Sequence, residues 1–254
     1  MKRLVLAIVC LAATAAAPAP RIDPVFANGE TLDYSLTWLK LSGGAARFTI
    51  GLAPGAPERL RITSVARSSS GFARIYRVRD EIVSFVDRVL FTTITYEKHL
   101  REGTSKKDDV TTVDRAHGLI VRRRPGKADK VVHTTEPVFD PISLIYQFRR
   151  LDLSPGSHVH FMVTGDGKLY AVDADVVARE DITTPLGTFR TVAVEPQMSA
   201  GGLFADEDSK LTIWYSDDVR HLPVRIRSDV KIGSITATIK GVRAGVTGIE
   251  PNSK

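Results

Sequence analysis

A two-residue alternation of apolar and polar side chains runs through most of this chain and constrains its fold more than any other feature. Leu32, Tyr34, Leu36 and Trp38 alternate with polar residues. Side chains of a strand point to opposite faces in turn, so this pattern predicts a strand with one buried face. By the same criterion we predict strands at residues 31–41, 59–65, 82–89, 91–100, 109–114, 119–123, 131–133, 158–163, 169–178, 189–194, 211–215, 224–230 and 234–242.

Turn and helix signals occur between these predicted strands. Ser42-Gly43-Gly44 is typical of a turn, and Gly165-Asp166-Gly167 is typical of a hairpin. Residues 142–151 instead have apolar side chains at helical spacing, and Asp140-Pro141 supplies a capping residue and a first-turn proline. We therefore predict one α-helix here and a second, short helix at residues 70–76.

Many strands and one clear helix predict an all-β fold. We expect a large curved antiparallel sheet, a barrel or half-barrel, with one covering α-helix. A composition of 43% hydrophobic and 25% charged residues is ordinary for a globular protein. The simplest division is a single β-rich domain at residues 24–243 and a flexible tail at 244–254. A curved sheet of more than about eight strands can enclose a cavity.

The first 17 residues have the pattern of a secretory signal peptide. Lys2 and Arg3 precede an uncharged run of 14 residues that ends in alanines, which is short for a membrane span. We expect cleavage near residues 15–19, export, and a periplasmic location with no transmembrane span afterwards. Cys10 is the only cysteine, so cleavage leaves no disulfide or thiolate site. Lipidation of Cys10 is the less favoured alternative.

The net charge of the processed chain limits the chemical classes of partner that we expect. Removal of Lys2 and Arg3 lowers the 35 basic residues to 33 against 29 acidic ones, a net charge of +4. Mild basicity favours anionic surfaces such as lipid head groups and is too weak to indicate nucleic acid. We interpret the densest basic run, Arg122-Arg123-Arg124, as a solvated strand end or turn rather than a polyanion site.

The order of several short motifs resembles that of one family of exported bacterial proteins, the domain of unknown function 3108 family. The motifs are residues 26–30, 38, 43–44, 76–80, 98–103, 140–149, 184–189, 213–218, 222–225 and 231–234. The resemblance implies an exported, β-rich envelope protein and implies no activity. In outline the chain is also similar to the curved half-barrels of periplasmic lipoprotein carriers, which is a likeness of architecture alone.

Metal and catalytic signals are weak. His158 and His160 share a strand face, and residues 206–208 (Asp-Glu-Asp) cluster oxygens, but neither has the full ligand pattern of a metal site. Asp217-Asp218 is better explained by a turn than by acid–base chemistry. We therefore predict no catalytic residue, no metal and no cofactor, although a triad assembled in space is invisible to sequence.

The richest polar cluster surrounds residue 99. Alternation places His99 with Arg101 on one strand face and Lys98 on the other. One interpretation is a set of cross-strand ion pairs. The other is a polar patch at a cavity mouth that binds an anionic head group, which makes Lys98, His99, Arg101 and the aromatic Trp214 our candidate ligand-binding residues.

Three function classes remain open. The leading hypothesis is a non-enzymatic periplasmic protein that binds a lipid or another amphipathic envelope component. The first alternative is a structural or assembly factor that binds an envelope protein or polysaccharide by its surface. The second is a hydrolase with an unrecognised site. A hollow or a filled interior would separate these classes.

Overall fold

The computed structural model describes residues 25–39, 41–198, 210–229 and 233–243. The predicted signal peptide, the predicted tail and the 206–208 cluster lie outside these residues. The described elements comprise one α-helix, α1 (Pro141–Phe148), a 3-10 helix (Phe72–Arg74) and fifteen strands. The strands are β1 (Glu30–Trp38), β2 (Leu41–Ala53), β3 (Ala56–Ser68), β4 (Arg79–Asp87), β5 (Thr93–Glu102), β6 (Ser105–Asp114), β7 (Leu119–Arg123), β8 (Lys130–His133), β9 (Val138–Phe139), β10 (His158–Gly165), β11 (Lys168–Thr184), β12 (Gly187–Met198), β13 (Leu211–Ser216), β14 (Pro223–Asp229) and β15 (Ser234–Arg243).

All fifteen strands belong to one curved sheet that does not close. Its order is β8-β7-β6-β5-β4-β3-β2-β1-β15-β14-β13-β12-β11-β10-β9, so β1 pairs with β15 in the middle and the edges are β8 and β9. Neighbouring strands are antiparallel, except that β9 runs parallel to β10. The prediction of an all-β curved sheet with one helix is therefore confirmed.

The alternation on β1 has the predicted structural effect. Leu32 and Tyr34 are fully buried in the first of two hydrophobic clusters, and Leu36 packs against that cluster. Helix α1 connects the clusters, because Ile142 and Tyr146 belong to the first and Leu144 and Phe148 to the second. The helix thus fills part of the concave side of the sheet.

Polar contacts hold α1 at its N-terminus. Asp140 caps it by accepting hydrogen bonds from the backbone N–H groups of Ile142 and Ser143, at 3.1 and 3.0 Å. Its other oxygen accepts from the hydroxyls of Ser84 and Thr93, at 2.5 and 2.7 Å. Burial raises the pKa of Asp140, and these hydrogen bonds partly offset that effect. The helix is therefore tied to β4 and β5 in the interior.

Three local predictions differ from the structure. The helix ends at Phe148 rather than at residue 151, and the predicted short helix is the 3-10 helix Phe72–Arg74. The predicted turn at Ser42-Gly43-Gly44 lies inside β2, because the strand already begins at Leu41. A Cβ on Gly44 would collide with the Arg67 carbonyl oxygen and lie 2.9 Å from the Ser68 Cα. Glycine here permits close approach of β3 rather than a turn.

Strand direction distinguishes two ends of the curved sheet. We call the end at which β1 and β5 begin, at Glu30 and Thr93, the plugged end. The C-terminus of α1 is fixed at this end, because Arg149 donates hydrogen bonds to Glu30. The open end lies opposite, where β1 and β5 finish at Trp38 and Glu102. Among the described residues, no helix is both long and apolar enough to cross a membrane.

Candidate ligand-binding site

An apolar pocket of about 530 Å³ lies at the open end. Three aromatic side chains line it, Trp38, Phe72 and Tyr76, together with the aliphatic side chains of Leu36, Ile75, Val78 and Ile235. The Trp38 and Phe72 rings meet edge to face, with centroids 5.8 Å apart and an interplanar angle of 83°. This volume falls within the range of small-molecule sites, which are mostly apolar and concave.

Strand alternation and one loop together build this pocket. Leu36 and Trp38 continue the concave face that Leu32 and Tyr34 occupy farther along β1. The loop at residues 69–77 supplies Phe72, Ile75 and Tyr76. We call it the basic loop, for the arginines described below. It is tied to the adjoining strand because the N–H of Ser69 donates to the Gly43 carbonyl at 2.9 Å.

Apolar side chains are unusually exposed around the pocket. Ile75 is 78% exposed, Leu41 61%, Leu39 48%, and Tyr76 and Ile235 46% each. These are five of the eleven large hydrophobic side chains that are exposed in the described residues. Scattered exposed apolar residues are ordinary, but a contiguous group beside a pocket is typical of a binding surface.

Two carboxylates contribute polar groups to the pocket lining. Asp80 accepts a hydrogen bond from the backbone N–H of Arg101 at 2.8 Å, and Glu102 also lines the pocket. Burial raises the pKa of both groups, and the charge of Asp80 raises the pKa of Glu102 further. An anionic group placed deep in this pocket would meet these charges, whereas an apolar chain or a cationic group would not be repelled.

A second pocket, of about 640 Å³, lies at the plugged end. Phe26 is the aromatic side chain that lines it, beside aliphatic residues such as Leu52 and Val89. Glu58, Asp87, Arg88 and Arg150 also line it. Because four charged groups surround it and it lacks the aromatic group of the open end, it is the weaker candidate for an apolar ligand.

The four candidate residues from the sequence do not converge on one site. Lys98 is buried, and its Nζ donates to Asp166 Oδ1 at 2.5 Å. His99 and Arg101 project from the opposite face of β5, as alternation predicts, and both contact Asp108. Trp214 lies on β13, and six strands separate β13 from β5 in the sheet order. Their role in ligand binding stays a prediction.

The contacts of these residues also have structural explanations. The guanidinium of Arg101 donates to both oxygens of Asp108, at 2.8 and 2.9 Å, and with His99 it lowers the pKa of that carboxyl. The indole N–H of Trp214 donates to Glu180 at 2.5 Å. Trp214 alternates with Ile213 and Tyr215, which belong to the second cluster, so its ring points away from that cluster.

The interpretation of Arg122-Arg123-Arg124 as a solvated strand end is wrong for Arg122. Arg122 is 4% exposed, and its Nη2 donates to the buried Asp109 at 2.8 Å. Arg124 donates to both oxygens of Asp109 at 2.5 Å. Burial alone would raise the pKa of Asp109, but the two guanidinium groups have the larger combined effect, so the pKa of Asp109 is lowered. Arg123 is exposed and contacts Asp129.

The paired histidines lie opposite two aspartates on the outer face of β10 and β11. His158 Nδ1 is 2.8 Å from Asp175, and His160 Nδ1 is 2.8 Å from Asp173. Among the described residues, no group of three or more His, Cys, Asp and Glu side chains could hold a metal ion. In each of these two rings, the Nδ1 atom is paired with an aspartate carboxylate.

Asp217 and Asp218 occupy the turn between β13 and β14. Asp218 accepts from the hydroxyl of Ser216 at 2.7 Å and from the backbone N–H of Arg220 at 3.1 Å. Asp217 instead contacts Arg179 at 3.0 Å. The two carboxylates therefore have different partners, as expected for turn residues rather than for an acid–base pair.

These features define a class: an all-β protein whose single open sheet curves around one helix and leaves an apolar pocket at one end. The family model called Protein of unknown function (DUF3108) matches residues 33–240, and the chain belongs to that family. The family resemblance inferred from the motifs is confirmed. No curated protein is detectably similar to this chain in sequence.

One solved structure shares the fold of this chain. The β-barrel-like protein of domain of unknown function DUF1849 from Brucella abortus superposes with a TM-score of 0.59 at 9% identity, over 86% of this chain and 98% of that chain. A candidate exported protein with a YmcC-like fold from Bacteroides fragilis has a TM-score of 0.39 at 10% identity, over 86% and 98% of the two chains. At such identities the first likeness shows the fold alone, and the second TM-score is too low to define a shared fold.

Proposed function

We propose that this protein is an exported, non-catalytic binding protein that holds an apolar or amphipathic envelope molecule in the pocket at the open end. The apolar pocket lined by Trp38, Phe72 and Tyr76 carries the proposal. Export is supported by the signal-peptide pattern of the first 17 residues. The periplasm is the compartment in which we expect it to act.

The shape of the interior supports binding of a chain-like ligand. Helix α1 covers the concave face near the plugged end. Farther along the same face, Leu36 and Trp38 line the apolar pocket at the open end. An apolar chain there would remove exposed hydrophobic surface from water, which favours binding by about 25 cal/mol for each Å² buried. A polar head group would remain at the exposed rim.

The two tryptophans permit a selective binding assay. Trp214→Phe leaves Trp38 as the only tryptophan, since the chain has two. We expect lysophosphatidylcholine with a brominated acyl chain, used below its micelle concentration, to quench this variant with saturation. The matched Trp38→Phe variant keeps only Trp214, which lies outside the pocket, and should stay unquenched. Equal quenching of both variants, or of neither, contradicts the proposal.

A charge placed at the pocket mouth tests the location independently. Ile75→Asp adds a carboxylate beside the pocket and should weaken the Trp38 response about tenfold or more. Val219→Asp makes the same change at another exposed apolar residue, 87% exposed and remote from the open end, and should have no effect. The alternative of a surface-binding assembly factor predicts no saturable quenching in any variant.

A further inference from the structure

The basic loop, defined above as residues 69–77, concentrates positive charge at the open end. Six arginines and no acidic residue occur from residue 59 to residue 79. Four of them, Arg67, Arg74, Arg77 and Arg79, lie in the loop or at its base and are exposed. Among the described residues, none of these four makes an ion pair with a carboxylate.

The base of the loop places two of these arginines against each other. Ser68 and Val78 close the loop, because the N–H of Ser68 donates to the Val78 carbonyl at 3.1 Å and its hydroxyl accepts from the Val78 N–H at 3.0 Å. One residue further out, Arg67 lies directly opposite Arg79 across the β3–β4 pair. Like charges in such a position are destabilising. An anion from outside the chain would relieve this repulsion.

Apolar side chains project between the charges. Ile75 and Tyr76 are exposed and stand between Arg74 and Arg77 in the sequence. Exposed apolar groups flanked by arginines are typical of segments that lie in the head-group region of a bilayer. Each basic residue near an anionic membrane adds to the attraction.

The nearby carboxylates do not cancel this charge at the loop itself. Asp80 and Glu102 line the pocket, and Asp80 already accepts from the Arg101 backbone. Glu81 is exposed on β4, next in sequence after Asp80. The four arginines therefore outnumber the three carboxylates. Within the loop itself, the only charged residues are Arg74 and Arg77.

We propose that the basic loop docks the open end onto a lipid surface rich in anionic head groups. Ile75 and Tyr76 enter the head-group region, and Arg67, Arg74, Arg77 and Arg79 contact the lipid phosphates. The pocket then faces the membrane, so that an apolar chain passes between bilayer and protein without crossing water. The proposal rests on the proposed function for the site it serves, but docking is measured separately from ligand binding.

Sedimentation with vesicles tests the docking. We expect the protein to bind phosphatidylcholine vesicles that contain about 30% phosphatidylglycerol, and to bind pure phosphatidylcholine vesicles much less, with the difference lost in high salt. Arg74→Glu combined with Arg77→Glu should weaken binding to the anionic vesicles about tenfold or more. Arg61→Glu with Arg115→Glu makes the same change of charge at two exposed arginines outside the loop and should leave most of the binding intact.

A second pair of variants separates a lipid surface from a soluble polyanion. Ile75→Ser with Tyr76→Ser keeps every arginine, and should weaken vesicle binding while leaving any binding to heparin unchanged. Loss of vesicle binding in both charge-reversal pairs alike, or vesicle binding that ignores the serine substitutions, overturns the proposal. Quenching of Trp38 by the brominated lysolipid reports the pocket in each variant, so failure of docking and failure of ligand binding give different results.

Discussion

The buried ion pair between Arg149 and Glu30 offers a quantitative test of how the plugged end is held. Arg149 is 1% exposed, and its two Nη atoms donate to the two Glu30 oxygens at 2.5 and 3.0 Å. Its remaining donors reach the carbonyls of Val25 and Arg220, at 3.0 and 3.1 Å. Arg149 directly follows α1, so this pair fixes the end of the helix to the start of β1.

Glu30→Ala should be strongly destabilising. The substitution removes two charge-assisted hydrogen bonds and leaves the Arg149 guanidinium with two carbonyls and the rings of Phe26 and Tyr146, centred 5.5 and 5.3 Å away. A buried charge that loses its partner costs about 3–5 kcal/mol. We expect the free energy of unfolding to fall by about that amount in urea titrations followed by circular dichroism, with the melting temperature lower by about 10 °C.

A double-mutant cycle tests the cause of this loss. Arg149→Met fills similar volume without charge, so the double variant Glu30→Ala with Arg149→Met should be more stable than Glu30→Ala alone. A loss below about 1 kcal/mol for Glu30→Ala, or losses that simply add in the double variant, would refute the reasoning. Trp38 quenching should persist in every variant that is folded, because the pocket is at the other end.

Three further substitutions test separate features. Gly44→Ala should cost about 2 kcal/mol or more in urea unfolding, because its Cβ meets β3, whereas Gly71→Ala, with open space around it and a helical φ of −68°, should be neutral or stabilising. Asp109→Asn should cost about 2–4 kcal/mol at neutral pH. Since the pKa of Asp109 is lowered on folding, that stability is present above about pH 4 and is lost in more acid solution, so parent and variant should converge there. Asp140→Ala removes the cap of α1 and the acceptor of two buried hydroxyls, and should lower the free energy of unfolding by about 3 kcal/mol in thermal melts.

The features that sequence predicted well are those encoded locally. Alternation along Leu32–Trp38 depends only on neighbouring side chains, and it identified both the strand and its buried face. Gly165-Asp166-Gly167 predicted the β10–β11 hairpin, where Asp166 and Gly167 have positive φ. Asp140-Pro141 marked the start of α1. Each signal is complete within a few residues, so no knowledge of distant segments was needed.

The errors involve contacts between distant segments. Gly43-Gly44 resembles a turn in sequence, but Gly44 is required by the approach of β3 more than 20 residues later in the chain. Arg122 looks solvated because it stands in a basic run, yet Asp109 on the neighbouring strand neutralises and buries it. A period-two pattern identifies the buried face of a strand, but it does not identify the partner of a buried charge.

The candidate pocket was hidden from sequence for the same reason. The alternation places Trp38 on the buried face of β1, but its place in a pocket depends on the basic loop meeting the end of β1. One sequence signal was available: residues 59–79 contain six arginines and no acidic residue, and Ile75-Tyr76 lies among them. Unbalanced charge around an apolar pair is unusual for a solvated loop.

The difference in length between the helix and the strands explains why a pocket remains at the open end. Helix α1 has 8 residues and spans about 12 Å, whereas β2 and β3 have 13 residues each and span about 40 Å. One short helix therefore covers only part of the concave face. Asp140 and Arg149 fix the helix toward the plugged end. The part of the concave face that the helix leaves uncovered is therefore the part at Trp38. Binding there needs no movement of α1, and we expect saturating lysolipid to quench Trp38 while the far-ultraviolet circular dichroism stays unchanged. A large change in that spectrum would mean that the helix must leave its place before the ligand can enter.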